Sequence, residues 1–327
     1  MMKKASQFLL KGLISVGLIT ALLIWKVDMA EFVHAFCSVD IPLYLMATVL
    51  FFVQNLIIAY CWQIVLVAQR NNVPFLRVLQ VHFIGSFFGT FMPTSIGMDI
   101  VRAFSLSRYM RQGVDAMSSM FVTRVVGFLT NFAIALIVAF PVAQATGNMK
   151  ILQVVVVMTV LFIFGIWVLL HPQFLSGLGF ILRRFGMQAI IAKIELFQNS
   201  SRALRHEKTS MFKLVLMSLA FQLLGSYIIY LVGVSLGIPV AWYHYFIMVP
   251  LITAITVLPL SIAGIGLREG AFVFFFVPLG ATEAQAFSLS LLVFAQWISA
   301  ALAGGVVYWL SGSKPEAEPL QEEVADS

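Results

Sequence analysis

The ionisable side chains inside or beside the long apolar stretches of this sequence include Asp99, Arg102, Arg124, Arg268 and Glu269. A charge within a bilayer is costly, so such residues face a protein interior or a watery cavity and commonly serve transport. A guanidinium grips phosphate with two parallel donors. These residue types therefore predict a substrate-binding site for an anion, and a phosphate headgroup fits that chemistry.

Two segments around these residues share a motif. Pro93, Ser95, Ile96 and Arg102 stand at the same relative spacing as Pro259, Ser261, Ile262 and Arg268, about half a chain apart. Proline and glycine interrupt helices, so each segment predicts a helical hairpin. The predicted bend residues are Pro93, Gly97, Pro259, Gly264 and Gly266.

In each hairpin the returning helix begins inside the membrane, where its unpaired N–H groups favour an anion. Ser95 and Ser261 therefore join the predicted substrate-binding set, and Arg102 and Arg268 cradle a phosphate from two sides. Two alternatives stay open. Asp99 and Glu269 either hold the arginines in place or carry protons, and Arg124 either neutralises a carboxylate or lines the headgroup path.

The composition indicates that these segments lie in a lipid membrane. Hydrophobic residues make up 61% of the 327 residues and charged residues only 10%, whereas soluble domains carry about a quarter charged residues. The net charge of +6 lies in short segments between apolar runs, as expected for positively charged cytoplasmic loops, so we expect no nucleic-acid partner. The sequence has no metal-ligand spacing, nucleotide loop or nucleophile–base set, so it predicts no metal, no cofactor, no catalytic residue and no enzyme activity.

Six apolar stretches are long enough to cross a bilayer. They are residues 8–25, 42–68, 114–140, 151–171, 212–236 and 284–310. Two further stretches, 78–98 and 244–266, run into the interrupted motifs. If all eight crossed, the basic segments 99–113 and 172–211 would lie outside, against the positive-inside rule. If the interrupted stretches return on the side they enter, the basic segments and both termini are cytoplasmic. The outer loops are then residues 26–41, 141–150 and 237–243.

The sequence therefore predicts an all-α polytopic membrane protein with about six transmembrane helices and two re-entrant helical hairpins. The hairpins fall in two inverted repeats, about 1–145 and 146–312, within a single membrane domain spanning 1–312. An odd number of crossings per repeat inverts the second repeat, which is a recurring transporter design. Segment 172–211 predicts surface amphipathic helices, and 313–327 a disordered acidic tail.

Polar residues within the spans are expected to join helices through hydrogen bonds, and His82 to serve packing or an interface. The five amides are Gln54, Asn55, Asn131, Gln222 and Gln296.

Three motifs resemble one known family. They are the stretch from Gly89 to Arg102, the segment from Thr123 to Gly127, and the stretch from Pro259 to Gly270. They are similar to the flippase-like membrane domain that forms the membrane half of bacterial lysylphosphatidylglycerol synthases and also occurs alone. The resemblance covers essentially the whole chain to about residue 312. It implies a bacterial cytoplasmic (inner) membrane location, lipid flipping, and functional roles for Arg102, Arg124, Arg268 and Glu269.

Thr123 departs from the family pattern, which often has an acidic residue before the arginine. The soluble aminoacyl-transferase half is missing from this sequence, so we expect no synthesis of lysyl lipids.

The leading hypothesis is a flippase or scramblase-like transporter that moves a phospholipid or polyprenyl-phosphate-linked lipid between leaflets. Its expected partners are membrane lipids with an anionic or phosphate headgroup, with a second copy or an envelope-biogenesis protein as further candidates. The alternatives are an ion-coupled small-solute transporter, an enzyme acting on lipid phosphates, and a non-transporting scaffold of an envelope complex.

Overall fold

A computed structural model describes residues 29–90, 95–107, 109–110, 113–147, 149–170, 207–257 and 264–311, together with Gly17 and Thr20. Within these residues all regular structure is helical. The helices are α1 (Met29–Cys37), α2 (Ile41–Ala68), α3 (Phe75–Thr90), α4 (Ser95–Ser107), α5 (Gly113–Thr146), α6 (Met149–Leu170), α7 (Lys208–Ser235), α8 (Trp242–Val257), α9 (Leu267–Phe276) and α10 (Glu283–Leu310), with a 3₁₀ turn at Val277–Leu279.

Four of the helices are long and apolar enough to cross a membrane: α2, α5, α7 and α10. The 22 residues of α6 reach about 33 Å by helical rise, and many of its apolar side chains are exposed, including Val160, Leu161 and Phe164. Exposed apolar surface of this kind suits lipid as the surrounding solvent. The predicted class, an all-α membrane protein, is confirmed, and five of the six predicted spans coincide with described helices.

The first interrupted stretch folds back on itself, since α4 returns along α3. Gly89 lies against Met98 near the bend, and Gly85 lies against Arg102 farther from it. The 16 residues of α3 extend about 24 Å, short of the roughly 30 Å hydrocarbon core. This geometry agrees with a segment that enters and returns, as the broken motif predicts.

The second interrupted stretch has the same form. The side chain of Thr256 lies near Gly264, and farther from the bend the Tyr245 and Phe276 rings are 4.9 Å apart. Gly264 and Gly266 have φ angles of +75° and +83°, which favour glycine because a Cβ is strained there. Both glycines therefore fit their predicted role in the turn that leads into α9.

The hairpins are held between two central helices and the last helix of each half. Helices α2 and α7 pack along each other, α3 packs on α10, and α8 packs on α5. The Gln54 Nε2 donates a hydrogen bond to the Phe221 carbonyl, 3.0 Å away, joining α2 to α7. Each hairpin thus packs against a helix from the other half of the chain, and this packing places both motifs near the same interior region of the helix bundle.

Several expected boundaries are corrected by the helices. The predicted outer loop 26–41 contains α1, whose Phe32 ring packs 5.7 Å from Phe287 of α10. The predicted loop 141–150 is short, because α5 continues to Thr146 and α6 begins at Met149. Helix α4 runs to Ser107, and Arg102 is buried within the first hairpin, as expected for a residue of its returning helix.

Gly97 lies in the first turn of α4 rather than at the bend. Some predictions fall outside the described residues: those on Pro93, Pro259, Ser261 and the Ser95 side chain, on the span 8–25 apart from Gly17 and Thr20, on most of 172–211, and on the tail 313–327.

Candidate functional site

One cavity of about 360 Å³ is lined by residues of both hairpins. Asp99 and Arg102 come from α4, Arg268 from α9 and Arg124 from α5. The remaining lining comes from further residues of α4 and α5, from α2, α3, α7, α8 and α10, and from Gly264. The two hairpins and the central helices therefore enclose a shared space that contains all three predicted arginines.

Asp99 links two of these arginines. Its Oδ2 lies 2.5 Å from Arg124 Nε, and its Oδ1 lies 3.4 Å from Arg102 Nη1. The Arg124 side chain is 38% exposed, against 13% for Asp99 and 9% for Arg102. Arg124 is therefore the guanidinium of this cluster that is open to an incoming group.

Arg102 is committed to holding the first hairpin together. Its Nε donates to the His82 carbonyl at 3.2 Å, and its Nη2 donates to Ser86 Oγ at 2.8 Å. The third nitrogen, Nη1, faces Asp99. All three nitrogens have partners, so Arg102 fixes α4 against α3 and places Asp99 where Arg124 can reach it.

In the second hairpin, Arg268 and Glu269 are more deeply buried than Asp99 and Arg124 are beside the first. Arg268 Nη2 lies 2.5 Å from Glu269 Oε1, and its Nε donates to Ser290 Oγ at 3.1 Å. Its guanidinium lies 4.5 Å from the Phe294 ring centroid and 5.7 Å from that of Trp297. This aromatic contact favours a cation within an otherwise apolar wall.

Glu269 also caps α9. Its Oε2 accepts the Gly266 N–H at 2.6 Å, while its Oε1 faces Arg268 and Ser290. Both oxygens are thus occupied, and the residue is 2% exposed. The geometry places Glu269 as the residue that positions Arg268 rather than as a direct contact for a ligand.

Among the residues that the structure describes, two buried donors on the cavity wall have no hydrogen-bond partner: Arg268 Nη1 and Asn131 Nδ2. A buried polar group without a partner is costly and calls for an explanation. Both atoms donate, so an acceptor-rich group, such as the oxygens of a phosphate, would satisfy them.

The structure brings together Asp99, Arg102, Arg124 and Arg268 around the cavity, with Glu269 behind Arg268. Gly264 also contributes to the lining. Four of the five amides make the predicted hydrogen bonds between helices: Gln54, Asn55, Gln222 and Gln296.

Sequence reasoning did not identify Ser86, Phe294 or Trp297 as arginine partners, and it assigned His82 to packing or an interface. Ser290 carried a signal, because it stands 166 positions after Arg124, and the same offset separates Pro93 from Pro259 in the two motifs. In both halves this position contacts the hairpin charges, through Asp99 in one case and Arg268 in the other.

Among the described residues, no group of three His, Cys, Asp or Glu side chains could hold a metal ion. The cavity instead offers guanidinium and amide donors, which are groups that can bind an anion.

The family model described as lysylphosphatidylglycerol synthase TM region matches residues 8–305. No curated protein matches the chain.

Proposed function

We propose, from the premise that this chain belongs to the family of the lysylphosphatidylglycerol synthase transmembrane region, that it is a lipid transporter. In this proposal it moves a phospholipid or polyprenyl-phosphate-linked lipid with an anionic headgroup between leaflets. The family connects the chain with lipid handling in a membrane, and transport is the finer step that we add.

The observation that carries the proposal is the shared cavity with its cationic wall. Arg124 and Arg268 both line it, one partly exposed and the other with an unpaired donor. A buried surplus of positive charge requires an anion to offset its desolvation. A lipid phosphate meets this need, because its oxygens accept paired hydrogen bonds from guanidinium groups.

The rest of the lining suits the remainder of a lipid. Apolar side chains share the cavity with the charges, among them Phe51, Ile58, Phe128 and Ile229. When the headgroup lies beside the arginines, the adjoining glycerol or isoprenoid part of the lipid would therefore contact apolar side chains. A free ion or a small polar solute would leave these side chains unused, so lipid is the better fit.

Arg124 is the first residue to test. Purified protein is reconstituted into phosphatidylcholine vesicles that contain a trace of fluorescent phosphatidylglycerol, and loss of signal to an impermeant quencher reports exchange between leaflets. We expect wild type to accelerate exchange and Arg124→Gln to slow it by about tenfold or more, because a charge-assisted hydrogen bond contributes about 1.5–3 kcal/mol.

Arg77→Gln is the matched control. Arg77 is absent from the cavity lining and instead lies 5.2 Å from the Tyr109 ring centroid. We expect this variant to exchange lipid at the wild-type rate. Equal rates for wild type and Arg124→Gln would reject the site, and no exchange by folded wild-type protein would favour a solute transporter or a scaffold.

A further inference from the structure

The charges around the cavity do not cancel. Among the described residues, those at the site are three arginines and two carboxylates: Arg102, Arg124, Arg268, Asp99 and Glu269. With His82 counted as neutral, one positive charge remains. Because an unpaired buried charge is costly, the site is electrically complete when it holds an anion that carries one negative charge.

Asp99 sets this surplus at one. Its two oxygens face Arg102 and Arg124, which come from different helices. Without the carboxylate the surplus would be two, and without Arg124 it would be zero. Asp99 is only 13% exposed, so bulk water screens its charge weakly.

The buried atoms without hydrogen-bond partners also favour an anion, as the surplus positive charge does. Arg268 Nη1 and Asn131 Nδ2 are both donors, and both residues line the cavity. A bound group must therefore accept hydrogen bonds at more than one oxygen while carrying little total charge. A phosphodiester has two non-bridging oxygens and one negative charge, and it meets both conditions.

We propose that Asp99 is the residue that selects the lipid by charge, so that the cavity prefers a phosphodiester headgroup to a phosphate monoester or a diphosphate. This inference rests on the proposed function, because it takes the cavity as the headgroup site, and it adds the chemical class of the lipid. A dianion in the same cavity leaves one negative charge uncompensated among apolar side chains.

A series of four proteins separates charge balance from particular contacts. Wild type has a surplus of one, Arg124→Gln has none, and Asp99→Asn has two. The double variant Asp99→Asn with Arg124→Gln has a surplus of one again. If net charge selects the lipid, the double variant regains the wild-type preference although it lacks the ion pair between residues 99 and 124.

The probes are short-chain phosphatidylglycerol, a diester, and short-chain phosphatidic acid, a monoester that carries its second charge at mildly alkaline pH. Equilibrium titrations in a non-ionic detergent measure both affinities. We expect wild type to prefer the diester and Asp99→Asn to prefer the monoester. We expect Arg124→Gln to lose about 10- to 100-fold in diester affinity, since one charge acts over several ångströms at an effective dielectric of about 20.

The decisive comparison is the double variant. We expect it to recover the wild-type preference for the diester and part of the affinity that Arg124→Gln loses, because charge balance returns while the Arg124 hydrogen bond does not. A double variant as weak as Arg124→Gln would overturn the inference, as would equal losses for both probes in Asp99→Asn. If Asp99→Asn alone does not fold, the other two variants still decide the question.

Asp115→Asn is the control, since Asp115 accepts a hydrogen bond from Asn71 at 3.0 Å and is absent from the cavity lining. We expect it to change neither affinity. If the protein shows the charge preference but no leaflet exchange, the proposed transport is rejected and the proposed selectivity of the cavity is retained. If it exchanges lipid without the charge preference, only the role of Asp99 in selectivity is rejected.

Discussion

At the scale of single residues, the three arginines have different environments although the sequence presents them alike. The three guanidinium nitrogens of Arg102 donate hydrogen bonds to α3 and to Asp99. One guanidinium nitrogen of Arg268, which lies beside two aromatic rings, has no hydrogen-bond partner among the described residues. Arg124 is bound to Asp99 but remains the most exposed of the three. We infer a division of labour in which Arg102 positions the site while Arg124 and Arg268 face the lipid.

Close packing within the first hairpin gives a prediction on a glycine. A Cβ at Gly89 would lie 2.5 Å from Met98 Cβ and 2.6 Å from Met98 Cα. Because the obstacle includes backbone, Gly89→Ala must push α4 away from α3. We expect a loss of about 1–3 kcal/mol of stability, measured as a lower thermal midpoint of the detergent-solubilised protein.

Gly165→Ala is the control for this prediction, because nothing lies within 4 Å of the corresponding Cβ on α6. We expect its midpoint to equal or exceed that of wild type, since alanine favours helix. Equal midpoints for Gly89→Ala and Gly165→Ala would show that the two hairpin helices are not packed as described.

At the scale of helices, the two halves of the chain match in length. Both α2 and α7 have 28 residues and both α3 and α8 have 16, and each pair is separated by 167 positions. Gln54 and Phe221, which share a hydrogen bond, are also 167 positions apart. A contact between equivalent positions is expected beside a two-fold axis, so we retain inverted repeats over 1–145 and 146–312 as a proposal.

Topology provides the test of this proposal. If the hairpins re-enter, three crossings separate Asn72 from Ala241, and these two exposed residues lie on opposite sides of the membrane. With eight straight crossings they would lie on the same side. In a Cys37→Ser background, we expect an impermeant maleimide to label Ala241→Cys in intact cells and Asn72→Cys only after permeabilisation.

Cys61 is buried and should not react, so the parent Cys37→Ser protein serves as the unlabelled control. If both introduced cysteines are labelled under the same condition, the two hairpin segments cross the membrane, and the proposed inverted repeats are rejected.

At the scale of the whole molecule, hydropathy was enough to predict the membrane class and the long helices, because each span is encoded by a continuous run of residues. The repeated motif also predicted two hairpins. The partners of the arginines were harder to predict, since Ser86 and Ser290 reach Arg102 and Arg268 only through helix packing. No local spacing encodes how α4 packs on α3 or how α9 packs on α10, so those contacts required the structure.

The central claim is that one cavity shared by both hairpins holds one anionic lipid. Native mass spectrometry of protein taken directly from its membrane tests it most directly. We predict that wild type and Arg77→Gln each retain one anionic phospholipid per chain and that Arg124→Gln loses it. Equal retention by wild type and Arg124→Gln, or retention of uncharged lipid alone, would contradict the account.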